Sequence, residues 1–431
     1  MFITVFFGGS FGTINLINGI LLPAQVELLV GEQAKSSALG TRAFLGTATQ
    51  LCQPVIGALS DMSGVRRPWV FFGQISSALG CVVMLLARSM LELTAGYVVM
   101  MLGASVAWGG ILCLVPQYVP KSQHGAASGW VGLMSCAGTL IGAGVGFGTG
   151  ARWWSTHSAY YCCAVVNVAI AATGCISLSG TPTLSAIALT SEATAADTMV
   201  NLFSSFRHTS FASLVLVIII SSWGPMFTST YQEYYLRDLV GPTGGYQLNG
   251  WQVTTTSESA AALFSVVFNL STLLVVLPAG LATNSIGGKA VMALGFALGA
   301  IVLAAFSVAH RFAPAMALAC AFGVSWGTVS GAQTAVFAAA LPSTKDSARD
   351  MNMFITAPVI AQLVVTYGGG HMLSWLGQIF HEMPFGTDTP TKAYGVLWLS
   401  GTLCFLLAMV GLRWVRPSAT PTGDGRQNSV Q

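Results

Sequence analysis

QPVIGALSDMSGVRRPW, residues 53–69, joins two apolar runs through one acid, one glycine and two bases: Asp61, Gly64, Arg66 and Arg67. Charge is scarce everywhere else. Asp, Glu, Lys and Arg make up 7% of the chain, against about 25% in a soluble protein. Hydrophobic residues make up 54%, and mean hydropathy is +0.70. A 431-residue chain of this composition reads as a polytopic membrane protein, with the lipid bilayer as its solvent. The net charge is only +3 and the bases are scattered, so no nucleic-acid-binding face is expected. Nearly all the cysteines lie inside apolar runs without metal-ligand spacing. They read as small buried hydrophobes rather than as a disulfide framework or a metal site. Met1 is followed at once by FITVFFGGSFG, with neither a basic n-region nor an A-x-A site, so a removable signal peptide is not expected.

A helix crossing the hydrocarbon core needs about 20 mostly apolar residues. On that ruler there are about twelve candidate spans. They lie near 3–28, 42–60, 69–88, 93–118, 126–149 and 160–179, and then near 211–234, 260–283, 289–309, 313–340, 351–378 and 393–414. The fold class is therefore an all-α membrane protein. Residues 1–180 read as an N-terminal six-helix half and 211–416 as a C-terminal one. Between them 181–210, rich in Ser, Thr and Ala, reads as a linker, and 417–431 as a polar disordered tail. An even number of spans puts both ends on one side. The side holding Arg66, Arg67, Lys121, Arg207 and Lys289 carries the larger share of Lys and Arg. That assigns linker and tail to the cytoplasm.

GALSDMSGVRR matches the G-x-L-x-D-x-x-G-x-R-R loop between the second and third helices of the major facilitator superfamily, which this chain resembles. The match falls on Gly57, Leu59, Asp61, Gly64, Arg66 and Arg67. Each type has a physical reason. Gly57 lets helix backbones approach, Gly64 permits a tight turn, and Asp61 can accept a charged hydrogen bond from an arginine. The resemblance implies a breakable ionic latch at a cytoplasmic hinge; a basic loop that only sets topology is the other reading. A weaker copy, GLATNSIGGK at 280–289, repeats the spacing, with Asn284 in place of the acid and Lys289 in place of Arg66. AWGG at 107–110 is echoed by SWGT at 325–328, and Pro120 by Pro342. Two parallel repeats with a substrate site between them are what the superfamily implies. LLPAQVELL, GALSD…RRPW, VP…GAASGWVGL and LPS…DSARDM further resemble the glycoside–pentoside–hexuronide and sucrose-type cation symporters.

In that fold the first, fourth, seventh and tenth helices line the cavity. The first offers Asn15 and Asn18 on one helical face, and the fourth Trp108 and Gln117. The seventh offers Trp223, Tyr231, Gln232 and Glu233, and the tenth Trp326 and Gln333. Amides donate and accept, and with aromatic platforms they suit a sugar. Helix-to-helix hydrogen bonding explains the same amides, and packing or interfacial anchoring explains Trp108 and Trp326. Glu233 lies in TSTYQEYYLRDL with Arg237 one turn on. It is either the carrier of a coupling proton or half of an interfacial ion pair. GTLIGAGVGFGTG, 138–150, reads as close helix packing, since no strand precedes it and no GK[ST] follows. YGGGHM, 367–372, reads as a helix break, with His371 a loop residue; a proton relay is the rival role.

The expectation is a monomeric secondary active transporter, in the plasma membrane or an organelle membrane, and not an enzyme. It would move a small polar solute by alternating access, favouring a sugar or glycoside with a coupling proton, and without cofactor or metal. A non-transporting sensor of the same fold, or a carrier of another small metabolite, is the alternative.

Overall fold

Helix α3 (Arg67–Leu86) shows which solvent surrounds the fold. Its inward face carries small and polar residues, Gly73, Gln74, Ser77, Ala78, Gly80 and Cys81. Its outward face presents Phe72, Ile75, Leu79 and Leu86. A helix in water does the reverse. In lipid, close packing needs small residues, while large apolar chains face the hydrocarbon.

The computed structural model describes residues 2–31, 35–63, 65–111, 114, 124–150, 153–178, 204–241, 245–248, 250–254, 257–340, 347–382 and 389–415. Helix α1 (2–30) runs as Phe2–Leu16, a π-helical turn Ile17–Leu21 and Leu22–Val30. Helix α2 (35–63) runs as Lys35–Ala48, a 3-10 turn Thr49–Cys52 and Gln53–Ser63. After α3 come α4 (Met90–Ile111), α5 (His124–Gly150) and α6 (Thr156–Ser177). Helix α7 (209–240) is built from Thr209–Ser221, Trp223–Tyr235 and a second π-helical turn, Leu236–Val240. Then follow α8 (Ser257–Ile286), α9 (Gly288–Phe306), α10 (Phe312–Ala340), α11 (Ser347–Glu382) and α12 (Thr389–Gly411). Among the described residues eleven of these helices are long and apolar enough to cross a membrane. The other is α2, which carries Lys35, Arg42, Gln50 and Gln53. The all-α expectation gains one small feature. A hairpin of β1 (Tyr246–Leu248) and β2 (Trp251–Thr254) sits between α7 and α8. It turns at Gly250, whose φ of 84° favours glycine.

Local chemistry sets the helix ends. Ser89 and Glu92 form a capping box at the start of α4. The Ser89 and Arg88 amides donate to Glu92 Oε2 at 3.2 and 2.7 Å, and the Glu92 amide donates to Ser89 Oγ at 3.3 Å. Ser155 accepts from the Ser158 amide at 3.2 Å and opens α6.

Packing repeats through the chain. Helix α3 lies on α4 and α6, α1 on α5, and α2 on α4. The same pairings recur as α9 on α10 and α12, α7 on α11, and α8 on α10. Helix α5 lies along α8, and α2 along α11, joining the two sets of six. The α1–α5 crossing rests on four glycines, Gly8 and Gly12 against Gly138 and Gly142. A side-chain carbon at Gly138 would overlap the Gly8 carbonyl. The glycine run therefore packs helices closely, as expected.

The run at 367–372 is a correction. Helix α11 continues through it without a break, so His371 lies on a helix and not in a loop. Gly369 faces the Tyr231 ring, with a hypothetical Cβ 2.8 Å from it. Tyr231 Oη donates to the Thr366 carbonyl at 3.2 Å. Glycine serves close contact between α7 and α11 here, and unwinding in lipid would leave backbone groups without partners.

Candidate functional site

A cavity of about 1490 Å³ lies between the two sets of helices. Asn15 and Asn18, Trp108, Tyr231, Gln232 and Glu233, and Trp326 and Gln333 all line it. Thus α1, α4, α7 and α10 bring together every expected cavity residue that is described, with one exception. Trp223 turns away, and its indole donates to Ser400 Oγ of α12 at 2.9 Å. Gln117 lies outside the described residues.

Each side chain is held by its element. Asn15 Nδ2 donates to the Phe11 carbonyl at 2.9 Å and to Thr139 Oγ1 of α5 at 3.3 Å, which leaves its carbonyl oxygen to the cavity. Asn18 sits in the π-helical turn of α1, the kind of helix irregularity that recurs at functional sites. Gln232 Nε2 donates to Ser265 Oγ of α8 at 2.8 Å. Trp108 is 8% exposed and packs on Phe11 and Phe7, with ring centroids 4.9 and 6.0 Å away.

The charges of the lining gather at one end. Arg237 Nε donates to Asp238 Oδ1 at 2.9 Å, Tyr394 Oη donates to Asp238 Oδ2 at 3.0 Å, and the guanidinium lies 4.9 Å over the Tyr234 ring. Glu233 is half-buried beside them, and its charge is felt at Arg237. Ion pairing there therefore involves Asp238, which the sequence reading did not include.

The cavity opens away from the 57–67 stretch. Its lining reaches Thr149 at the far end of α5, Thr156 at the start of α6, and Arg237 and Tyr394. None of the described residues 57–67 contributes. At the 57–67 end the two sets close on each other. Asn352 Nδ2 of α11 donates to the Gly109 carbonyl of α4 at 3.4 Å, and Gly129 of α5 fits against Leu277 of α8.

A family model described as Major Facilitator Superfamily matches residues 1–254. The chain belongs to the major facilitator superfamily. It is an integral multi-pass membrane protein with the architecture of a small-solute transporter. Among solved structures, the chain is similar to that titled human organic anion transporter MFSD10 (TETRAN). The two share 12% identity over 95% of this chain and 98% of that one, with a TM-score of 0.65. At that identity the likeness speaks for the fold alone. No curated protein matches the chain by sequence.

The superfamily's signature loop can be followed residue by residue. Gly109 of α4 lets α2 approach, since a Cβ there would sit 2.6 Å from Ile56 Cγ2 and 3.5 Å from the Gly57 nitrogen. Arg66 is only 5% exposed and donates from Nη1 to Ser60 Oγ at 2.5 Å. Arg67 is exposed. Trp69 Nε1 donates to Ser63 Oγ at 2.9 Å. Asp61 lies on the last turn of α2, but its side chain, like Gly64, is outside the described residues. Sequence reasoning gave no role to Ser60 or Ser63, although S-D-x-S just before the arginines could have signalled both. It also left out the lining from α2, α8 and α11, such as Thr47, Gln50, Gln53, Asn269 and Gln362. A helical-face argument applied to α2 could have found Gln50 and Gln53.

Proposed function

We propose that this transporter moves a small neutral polar solute, a sugar or glycoside, by alternating access, coupled to protons through Glu233. The observation that carries the proposal is the chemistry of the cavity. Its polar lining is chiefly amide and hydroxyl, interleaved with aromatic faces from both sets of helices. Amides offer both halves of a hydrogen bond to a hydroxyl. The one Lys or Arg among the described lining residues is Arg237, and it is engaged by Asp238. An organic anion, the cargo named for the similar solved structure, would need an uncompensated cation. The symporter resemblance of the sequence points the same way.

Glu233 supports coupling by its position. It lines the cavity beside one cation and one other acid. Protonation would take that cluster from net negative to neutral, and charge in such surroundings is costly. Uptake by the purified protein in proteoliposomes tests both parts. An imposed inward proton gradient should concentrate a labelled hexose or glycoside and leave organic anions behind. Glu233→Gln should lose accumulation but keep exchange across the membrane. Preferential uptake of anions would reject the solute class. Unimpaired pH-driven accumulation in the Gln variant would reject the role of Glu233. Binding without any uptake would make the protein a sensor.

A further inference from the structure

The cavity has two tiers. Toward the mouth and middle the lining holds most of the amides and the acid, Asn15, Asn18, Gln50, Gln232, Gln362 and Glu233, set among apolar side chains such as Leu22, Leu39 and Leu373. At the closed end the lining is aromatic and aliphatic, with Phe7 and Phe11 of α1, Trp108 of α4, and Met351, Phe354 and Ile355 of α11. Helix geometry gives the scale. At about 1.5 Å per residue, Phe7 lies roughly 16 Å below Asn18 along α1, and Phe354 roughly 18 Å below Thr366 along α11. Two hydroxyls toward the floor are turned to their own helix backbones: Ser135 donates to the Val131 carbonyl at 2.8 Å, and Ser105 to the Met101 carbonyl at 2.9 Å. Gln53 of α2 and Ser330, Gln333 and Thr334 of α10 are the polar exceptions in the lower lining. The rings at the floor form a preassembled surface, with Trp108, Phe11 and Phe7 in mutual contact and Phe354 held against Phe337 at 4.5 Å.

Resting on the reading of this cavity as the solute site, we infer that the solute is amphipathic. A hydroxyl-bearing head meets the amide tier, and a flat aryl or short alkyl tail enters the Phe7–Phe11–Trp108–Phe354 floor. A bare hexose satisfies only the upper tier and leaves the floor facing water. An apolar substituent removes that surface from water. Stacking on aromatic rings adds to the gain. Trp108 and Phe354 are then specificity-determining residues from opposite sides of the cavity.

Isothermal titration calorimetry on the full-length protein in lipid nanodiscs, with methyl and phenyl glucosides as probes, tests this. The phenyl compound should bind about tenfold more tightly than the methyl compound. Trp108→Leu and Phe354→Leu, made separately, should cut that ratio to about twofold, with an unchanged far-ultraviolet circular dichroism spectrum reporting that the fold is intact. An aromatic plug that merely seals the closed end would give equal affinities for the two glucosides. Equal affinities, or an undiminished ratio in both variants, would overturn the inference and leave the neutral-solute proposal standing. Binding of neither glucoside would overturn both together.

Discussion

Arg66 illustrates how much a single position depends on its surroundings. Composition makes it a topological charge, but in the fold it is buried and bonded to Ser60. A buried cation without acceptors is expensive, so this end of α2 must be arranged around it. Asp61 follows Ser60 directly, on the turn that Arg66 faces. Arg66 is thus placed to serve as the base of the proposed latch, and the proposal that Asp61 completes it rests on that placement. A charge-assisted hydrogen bond contributes about 1.5–3 kcal/mol. Asp61→Asn should accordingly slow transport about tenfold or more, with solute binding changed only a few-fold. Normal uptake kinetics in this variant, at equal amounts of reconstituted protein, would remove Asp61 from the gate. Lys289, which matches Arg66 in the second copy, does something else. Its Nζ donates to the Val415 carbonyl just beyond α12, where a cation complements the end of a helix. Matching motif positions have thus diverged in role.

Among the elements, apolar length made the helices legible, and glycine made α11 hard to read. The glycines at 138–150 and those at 367–372 look alike in sequence. The first set holds α1 against α5, while the second lies inside an unbroken α11. Periodicity does not distinguish a glycine that ends a helix from one that admits a neighbour, because the neighbour is not in the local sequence. The contacts give a paired prediction. Gly138→Val would drive a branched side chain into the Gly8 backbone, whereas nothing lies within 4 Å of a Cβ at Gly144. Overpacking costs about 1–3 kcal/mol. The Gly138 variant should lose several degrees of thermal midpoint in detergent, and Gly144→Val should stay near the parent. Equal midpoints would show that the α1–α5 crossing yields easily.

At the scale of the whole molecule, the cavity opens at one end and is closed at the other, where Asn352 meets Gly109. We propose, from the Lys and Arg distribution, that the closed end faces the cytoplasm together with both termini and residues 181–210. Epitope tags at residue 195 and at the C-terminus should then be reached by antibody only after permeabilisation. Labelling of intact cells at either tag, with the protein at the cell surface, would reverse the orientation. If the orientation holds, the structure is the outward-facing member of the transport cycle.

The amino-acid sequence by itself determined the solvent, the helices, the signature loop and the superfamily. Those follow from transfer free energy summed over about 20 residues and from spacing along one chain. It also named Asn15, Asn18, Trp108, Tyr231, Glu233, Trp326 and Gln333 as residues of one cavity, because the resemblance to the superfamily implies which helices face it, and it wrongly added Trp223. Only the tertiary structure decided what else joins them. Gln53 of α2, Asn269 of α8 and Gln362 of α11 reach the same space from helices distant in sequence. Arg237 takes Asp238 as a hydrogen-bonded partner, and the aromatic floor is assembled from α1, α4 and α11. Packing between distant segments sets such meetings, and so does the state of the gate. A transporter must hold two arrangements close in free energy, so one sequence encodes both, and the fold shows which of them is closed.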